Sequence, residues 1–210
     1  MKYIGEGFYY RVYEQSADRV TKKLLPFLAS SKKVYDFKRE RDAVSRFEAA
    51  MAAWKAVRRE RKELWTMKEK IKSLPGVLFA NPQFIGRGLD YTQDKVIVID
   101  DSLKDDKESE VIIDKYIELQ KKLWSYGLHD TTYKIQPNYG VDKNGNVVCV
   151  DFGEFSFTKE QTLKSLEKKK WLSRGTYKKW VDSSIKEYYT NKMAEAMTKE
   201  MLDKFWGANL

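Results

Sequence analysis

The sequence predicts an α+β protein of two lobes. Short segments rich in aromatic and β-branched residues come first, and long segments with apolar residues at helical spacing dominate the rest. Strands that precede a mostly helical region favour segregated rather than alternating layers. We therefore expect a small antiparallel sheet plus a helix in residues 1–100 and a reduced, mostly helical lobe in residues 101–210, joined near Asp100 to Leu103 as one domain.

The first half contains three short segments typical of strands, with a turn at Ser16–Asp18 between the last two. These segments are "KYIG", "YYRVYEQ" and "RVTKKLL". A helix is predicted from about Lys33 to Leu74, where Pro75 and Gly76 stop it. Two further strands are expected within "VLFANPQFIG" and "KVIVID".

The second half is predicted to be helical, with one hairpin. A helix over 108–126 carries apolar residues on one stripe: Ile112, Tyr116, Leu119 and Leu123. The hairpin "YGVDKNGNVVCV" turns at Asn144-Gly145, a pair typical of two-residue turns. From Thr158 onwards the chain is predicted to be helical, with residues spaced for burial at Tyr177, Val181, Ile185 and Tyr188.

The composition indicates a globular protein with basic character. The chain has 210 residues, 42% of them hydrophobic, and a formal net charge of +9. Such a charge favours partners that are nucleic acids, anionic surfaces or acidic proteins. The single cysteine, Cys149, excludes an intramolecular disulfide. With no secretory signal and no apolar run long enough to cross a membrane, we expect a cytoplasmic protein without membrane contact.

The segment 55–72, "KAVRRERKELWTMKEKIK", is strongly basic. Its apolar stripe shifts in register near Arg58 and Arg61, so we expect the long helix to break there. The positive charge could contact nucleic acid, as could Lys168–Lys170 with Trp171. A solvated helix face is the alternative.

A glycine-rich segment lies at the N-terminus, followed at a short distance by a lysine. Gly5, Gly7 and Val12 have the spacing of a loop that covers a nucleotide, because glycine lets backbone N–H groups approach phosphate oxygens. Lys22 lies ten residues after Val12 and can reach such phosphates from the next strand, whereas Lys23 would point to the opposite face. A plain hairpin turn is the alternative.

A glutamate falls on the apolar stripe of the predicted long helix. Glu40 shares helical spacing with Phe37, Val44, Phe47, Met51 and Trp54. A carboxylate that faces inward is costly unless it is paired. Lys22 is the natural partner, and the alternative is that Glu40 extends to water.

The stretch "VVCVDFGEF" ends an apolar strand on a carboxylate followed by glycine. Asp151-Phe152-Gly153 by itself is a weak motif, and a strand that closes in a turn would have the same sequence. The order of all these features is more specific. Gly5, Gly7, Val12, Lys22, Glu40, Asp130, Asn138 and Asp151-Phe152-Gly153 occur in the order found in protein kinases.

On these residues the chain resembles the protein-kinase-like superfamily over residues 3 to about 157. The stretch "NYGVDKNGNVVCVDFGEF" resembles in particular the catalytic hairpin of small kinase-like proteins encoded by bacteriophages and of compact bacterial effector kinases. The resemblance implies a bilobal protein-kinase-like fold with a truncated C-lobe. It also implies ATP as cofactor, with Mg²⁺ or Mn²⁺.

The resemblance assigns a role to each motif residue. Asp151 and Asn138 would bind the metal, and Asp130 would accept the proton of the attacking hydroxyl. Lys22 and Glu40 would form the pair that holds the phosphate-binding lysine. Backbone groups at the strand end of Val98, Ile99 and Asp100 would lie against the adenine.

Three features depart from the family pattern. His129 is adjacent to Asp130, the loop from Asp130 to Asn138 is expanded, and the chain after Gly153 is short. The loop must bulge, which leaves the direction of Lys134 open.

The leading functional hypothesis is a minimal Ser/Thr protein kinase that acts on host or partner proteins. The alternatives are a kinase-like binding protein that acts through its basic surface, and a small-molecule phosphotransferase.

Overall fold

The computed structural model describes residues 1–42, 44–99, 103, 107–151, 153–173 and 183–210. The chain divides into two compact units, of which the first contains residues 1–76 and 81–95 and the second contains 77–80 and 96–210. Strands and helices are both present, so the predicted α+β class is confirmed. Most of the predicted junction, Asp100 to Leu103, lies outside the described residues. In the described part, every helix is too short or too polar to cross a membrane.

The first unit is built on a five-stranded antiparallel sheet with the order β1-β2-β3-β5-β4. Its strands are β1 (Lys2–Glu6), β2 (Tyr10–Glu14), β3 (Arg19–Leu24), β4 (Gln83–Phe84) and β5 (Tyr91–Asp94). The first three match the predicted segments. β5 was not predicted, because "YTQD" has no alternation of apolar and polar residues. The strand predicted within 77–86 is confirmed at β4, whereas Gly76–Phe79 forms a 3-10 helix.

Two helices replace the predicted single helix of residues 33–74. Helix α1 spans Phe27–Asp42 and helix α2 spans Arg46–Ile71. A capping box starts α2: the Ser45 hydroxyl accepts from the Glu48 N–H, and the Glu48 carboxylate accepts from the Ser45 N–H. The predicted break near Arg58 and Arg61 is wrong, because α2 continues through both residues.

The core-facing side of α2 differs from the predicted stripe. Small and aliphatic residues are buried on it: Ala49, Ala53, Val57, Leu64, Met67 and Ile71. Ala53 and Val57 pack with Val34 of α1, and the small alanine side chains let the two helices approach closely. Phe47, Met51 and Trp54, which the sequence placed in the core, are exposed.

The second unit contains two small antiparallel sheets. Strands β6 (Ile97–Val98), β8 (Tyr139–Val141) and β9 (Val147–Cys149) form one sheet, in the order β6-β8-β9. The other sheet pairs β7 (His129–Asp130) with β10 (Phe155–Ser156). The hairpin around Asn144-Gly145 is therefore confirmed, while "KVIVID" contributes only the two residues of β6.

Helix α3 (Lys107–Ser125) is central to the packing of the second unit. The predicted stripe is confirmed, since Ile112, Tyr116, Leu119 and Leu123 are all buried. The described helices that follow are short: α4 (Ile135–Asn138), α5 (Lys159–Glu167), α6 (Lys170–Ser173), α7 (Ser183–Ala196) and α8 (Lys199–Phe205). Ile185 is buried as predicted, whereas Tyr177 and Val181 lie outside the described residues.

Gly140 allows β8 to pack closely on the chain around β6. A Cβ at this position would lie 2.4 Å from Val96 Cγ2 and 2.9 Å from the Ile97 carbonyl oxygen. Because the second contact is with backbone, any side chain here would displace the strand. The register of this sheet therefore depends on glycine at position 140.

Candidate functional site

The sheet of the first unit brings three of the predicted nucleotide-binding residues into one row. Gly5 pairs with Val12, Val12 with Lys22, and Lys22 with Tyr91 across four neighbouring strands. Residues directly opposite each other in antiparallel strands point to the same face of the sheet. Val12 and Lys22 therefore lie on the same face of the sheet. On that face Gly5, which has no side chain, leaves its backbone accessible.

Lys22 and Lys23 lie on opposite faces of β3. Lys22 is half-buried, with Nζ 5.7 Å from the centre of the Tyr91 ring. Lys23 is exposed, with Nζ 5.5 Å from the centre of the Tyr13 ring. Only Lys22 therefore lies on the same face as Val12 and Tyr91.

The fold does not itself require glycine in the turn that follows β1. A Cβ at Gly5 or Gly7 would meet nothing within 4 Å. The Gly7 N–H donates to the Tyr10 carbonyl at 2.9 Å, which closes the turn. Glu6 ties this turn to its neighbours, since it forms ion pairs with Lys33 of α1 at 2.7 Å and with Arg11 at 2.8 Å. These contacts lower the pKa of Glu6, with the hydrogen bond from Lys33 as the main cause.

The expected ion pair between Lys22 and Glu40 is not formed. Glu40 is exposed on α1 and makes no ion pair with a described residue. The prediction rested on a stripe through Phe47, Met51 and Trp54, but that stripe belongs to a separate helix and faces outward. Lys33, two turns earlier on α1, takes the contact with the glycine-rich turn instead.

The predicted adenine contacts at the end of "KVIVID" are only partly described. Asp100 lies outside the described residues. Ile99 has a fully buried side chain, and its N–H donates to the Tyr139 carbonyl at 3.0 Å. Val98 pairs with Gly140 in β6 and β8. The Ile99 amide is therefore engaged by the sheet.

A cluster of polar side chains follows β7 in the second unit. Lys134 Nζ lies 2.9 Å and 2.8 Å from the two carboxylate oxygens of Glu154. Asn138 Nδ2 donates to Glu154 Oε2 at 3.3 Å. The Glu154 backbone is fixed as well, because its carbonyl accepts from the N–H and the hydroxyl of Thr131 at 3.0 and 2.8 Å.

Asp151 lies beside this cluster, immediately after the buried residues Val147 to Val150. Its N–H and that of Val150 both donate to the Asn138 carbonyl, at 3.2 and 2.8 Å. The side chain is exposed, and one of its oxygens accepts from the Gly153 N–H at 3.3 Å. The Asn138 carbonyl therefore fixes the position of the backbone that carries the Asp151 side chain.

Asp130 occupies a different environment from the one its predicted role requires. It is 1% exposed. One carboxylate oxygen accepts from the N–H and the hydroxyl of Thr132 at 2.7 and 2.8 Å, and the other accepts from the Tyr139 hydroxyl at 2.7 Å. Burial raises the pKa of Asp130, while these three hydrogen bonds oppose the rise. The carboxylate thus links the expanded loop to β8 from within the core.

His129 packs in an aromatic cluster that includes Tyr133 of the loop. Its ring lies 5.2 Å from that of Tyr133, which in turn lies 5.7 Å from that of Trp171. Neither ring nitrogen has a hydrogen-bond partner among the described residues. Burial, together with the charge of Lys170, lowers the pKa of His129 to about 3. His129 is therefore neutral near pH 7.

The expanded loop carries backbone strain at one residue. Tyr133 has a φ of 49°, in the left-handed region that aromatic residues rarely adopt, and its side chain is buried. Such strain persists only where the surroundings impose it, and it is most common at functional sites. Here it reverses the chain between the buried Asp130 and the partly exposed Lys134, which turns Lys134 toward Glu154.

The residues present fit a magnesium ion that is bound mainly by phosphates. Asp151 offers a carboxylate oxygen, and the amide oxygen of Asn138 is a second hard ligand. In the described part of the chain, no group of three or more His, Cys, Asp or Glu side chains is placed to hold a metal. Two protein ligands accord with Mg²⁺ sites in which substrate phosphates complete the coordination.

Glu154 is the site residue that the sequence did not single out. It follows the Asp-Phe-Gly motif directly, and its acidic character was visible in "DFGEF". Its contact with Lys134 depends on the pairing of β7 with β10, which places Phe155 opposite Asp130. No local sequence pattern predicts a ladder between two strands of two residues each.

The chain was compared with known proteins, and no family model and no curated protein matches it.

Proposed function

We propose that this protein transfers a phosphoryl group from ATP with the help of a divalent metal ion. The observation that carries the proposal is the cluster of Lys134, Glu154 and Asn138, hydrogen-bonded beside Asp151 at the end of a buried strand. A cation, two carboxylates and an amide within one loop region are the groups that phosphoryl transfer uses, since its catalysis consists of positioning and charge neutralisation.

The row on the sheet of the first unit supports the same proposal. Lys22 would contact phosphate oxygens, and the space left by the missing side chains at Gly5 and Gly7 would let the phosphates approach the backbone of the glycine-rich segment. Val12 would provide an apolar surface for the base. The third strand is also where protein kinases carry their phosphate-binding lysine.

Asn138 and Asp151 would hold the metal, through an amide oxygen and a carboxylate. Once bound, Mg²⁺ or Mn²⁺ would neutralise negative charge on the phosphates. The hydrogen bonds from the Val150 and Asp151 N–H groups to the Asn138 carbonyl hold the backbones of Asn138 and Asp151 next to each other. The strand that precedes Asp151 is therefore tied to the backbone of the residue that would supply the second ligand.

Glu154 is the best-placed acceptor for the proton of the attacking hydroxyl. Its side chain is 40% exposed and is oriented by Lys134, whereas Asp130 is 1% exposed. A general base must reach the hydroxyl whose proton it takes. We therefore assign the proton transfer to Glu154 and a supporting role to Asp130.

The finer proposal is a Ser/Thr protein kinase of the cytoplasm, with a protein as substrate. It is supported by the resemblance to small kinase-like proteins carried by the motif residues. The strongly positive net charge favours an acidic protein as substrate.

A kinase-like binding protein without turnover is the second candidate. The burial of Asp130 and the missing Lys22–Glu40 pair favour it. A thermal-shift titration separates the two. ATP with Mg²⁺ or Mn²⁺ should raise the melting temperature of the wild type, because a ligand that binds only the folded state stabilises it. The Asp151→Asn variant should show a much smaller rise. If millimolar ATP with either metal leaves the wild-type melting temperature unchanged, the transferase proposal is wrong.

A further inference from the structure

Helix α2 carries a second row of large side chains on a face that the first unit leaves uncovered. Phe47, Met51, Trp54, Arg58 and Trp65 follow one another at gaps of four, three, four and seven residues. We call these five residues the outer stripe. Its apolar members are exposed by 75% (Phe47), 50% (Trp54), 46% (Trp65) and 43% (Met51).

The outer stripe is separate from the face that packs on α1. At about 100° per residue, it lies roughly a third of a turn away from Ala49, Ala53 and Val57 around the helix axis. Two rings of the stripe contact neighbouring side chains. The centres of the Trp54 and Phe27 rings are 4.5 Å apart, and Lys68 Nζ lies over the Trp65 ring, 5.0 Å from its centre. These contacts hold the rings in place and leave about half of each exposed.

The spacing of the outer stripe is typical of a helix that pairs with another helix. Alternating gaps of four and three residues keep side chains on a seam where a second helix can interlock with them. Exposed apolar residues are common when scattered, but a run of large apolar residues on one helix face, here Phe47, Met51 and Trp54, indicates an interaction site. From Phe47 to Trp65 the stripe is about 27 Å long, which matches a partner helix of about five turns.

Unpaired positive charges flank the outer stripe on one side. Lys55, Arg58 and Lys62 are exposed, and none of them forms an ion pair with another described residue. Arg59, about 100° around the helix axis from Arg58, is paired with Glu63 at 3.7 Å. Residues 46–72 contain nine basic and four acidic residues. A partner with carboxylates beside its apolar row would complement this surface.

We propose that the outer stripe is a docking surface for an acidic amphipathic helix of another protein. Apolar side chains of that helix cover Phe47, Met51 and Trp54, and its carboxylates face Lys55, Arg58 and Lys62. A second copy of this chain fits less well, because two helices with excess positive charge would face each other. The proposal holds whether or not the protein transfers phosphate.

A synthetic helix is the probe for this surface. It is a dye-labelled peptide of 21 residues with leucine at two positions of each heptad and glutamate at the flanking positions, and its counterpart carries lysine in place of glutamate. Fluorescence anisotropy should show saturable binding of the acidic peptide to the full-length protein and none of the basic peptide. Sedimentation in parallel should show that the protein alone remains a monomer.

Two variants locate the binding site on the outer stripe. Phe47→Ala and Arg58→Glu should each weaken binding of the acidic peptide at least tenfold. Arg59→Glu makes the same charge change one residue away and off the stripe, and Val111→Ala removes a different exposed apolar side chain, on α3. Both controls should change the affinity less than threefold, and circular dichroism of all four variants checks that they fold.

Several results would overturn the docking proposal. One is the absence of binding at 200 µM acidic peptide, and another is an equal loss of affinity in Arg58→Glu and Arg59→Glu. The proposal also fails if a single-stranded oligonucleotide or vesicles containing phosphatidylserine bind instead of the peptide, with the same dependence on Phe47 and Arg58. Self-association that Phe47→Ala abolishes would assign the outer stripe to a second copy.

Discussion

Lys134 and Glu154 form a bidentate ion pair across the expanded loop of the second unit, with Nζ 2.9 and 2.8 Å from the two carboxylate oxygens. The pair includes Asn138 through a third contact. Glu154 is therefore an acidic group in contact with a predicted metal ligand, and we propose it, in place of Asp130, as the acceptor of the proton.

Glu154→Gln and Asp130→Asn should have different effects. Glu154→Gln removes the proposed proton acceptor and should lower phosphoryl transfer by roughly 100- to 10,000-fold, with ATP affinity changed only a few-fold. Asp130→Asn leaves a donor of Thr132 or Tyr139 without its acceptor in the core and should lower the free energy of unfolding by about 1–3 kcal/mol. Transfer kinetics and urea unfolding of both variants check this. Strong loss of transfer in a stable Asp130→Asn protein, with normal rates in Glu154→Gln, would restore the role to Asp130.

Lys22 and Lys23 provide a matched pair on β3. Lys22→Met should weaken ATP binding at least tenfold, because Lys22 lies in the row with Gly5 and Val12. Lys23→Met removes the same charge from the opposite face and should leave affinity unchanged within about twofold. Calorimetric titration of ATP with Mg²⁺ measures both. Equal affinities in the two variants would contradict the placement of the phosphates on the Lys22 face.

Glu40 should be dispensable in the arrangement seen here. Its carboxylate is exposed and makes no ion pair within the described residues. Glu40→Ala should therefore leave the free energy of unfolding nearly unchanged and change the transfer rate less than about threefold. Glu6→Ala serves as the comparison, since it breaks the contacts with Arg11 and Lys33 and should weaken ATP binding more. A large loss of transfer in Glu40→Ala alone would indicate that Glu40 pairs with Lys22 during the reaction.

His129 should make the protein less stable in mild acid. Burial lowers its pKa from 6.5 to about 3, so below pH 6.5 the unfolded chain binds a proton that the folded protein does not. Stability is therefore complete above pH 6.5 and is lost as the pH falls toward 3. Between pH 7.5 and 5.5 the loss from this group is about 1.4 kcal/mol.

The variant His129→Phe isolates this effect, because the chain has a single histidine. Neither ring nitrogen has a partner among the described residues, so phenylalanine loses no hydrogen bond there. Urea unfolding at pH 7.5 and 5.5 should show a smaller change for His129→Phe than for the wild type by that amount. Equal changes in the two proteins would mean that His129 is accessible to protons in the folded state.

The spacing of apolar residues along short segments correctly predicted the first three strands, the hairpin and helix α3. β1, β2 and β3, the hairpin around Gly145 and the buried stripe of α3 all follow from residues close together in sequence. β5 was missed because Thr92 and Gln93 are buried polar residues, which become acceptable only once β3 and β4 pair on either side.

The errors at α2 and at the site depend on contacts over longer distances. The aromatic residues at 47 and 54 indicated a core stripe, but close packing on α1 selects the small Ala49 and Ala53 instead. Likewise, Asp130 stands at the sequence position expected for the group that accepts the proton of the attacking hydroxyl. Its burial follows from Tyr139 and Thr132, which spacing alone does not place around it.

The most direct test of the central proposal is the transfer of labelled γ-phosphate from ATP by the purified protein. Wild type and Asp151→Asn would be compared with Mg²⁺ and with Mn²⁺, each with and without added cell lysate. We expect metal-dependent labelling of serine or threonine in protein by the wild type and at least a 100-fold lower rate for Asp151→Asn. No labelling by the wild type under any of these conditions, or equal labelling by the two proteins, would contradict it.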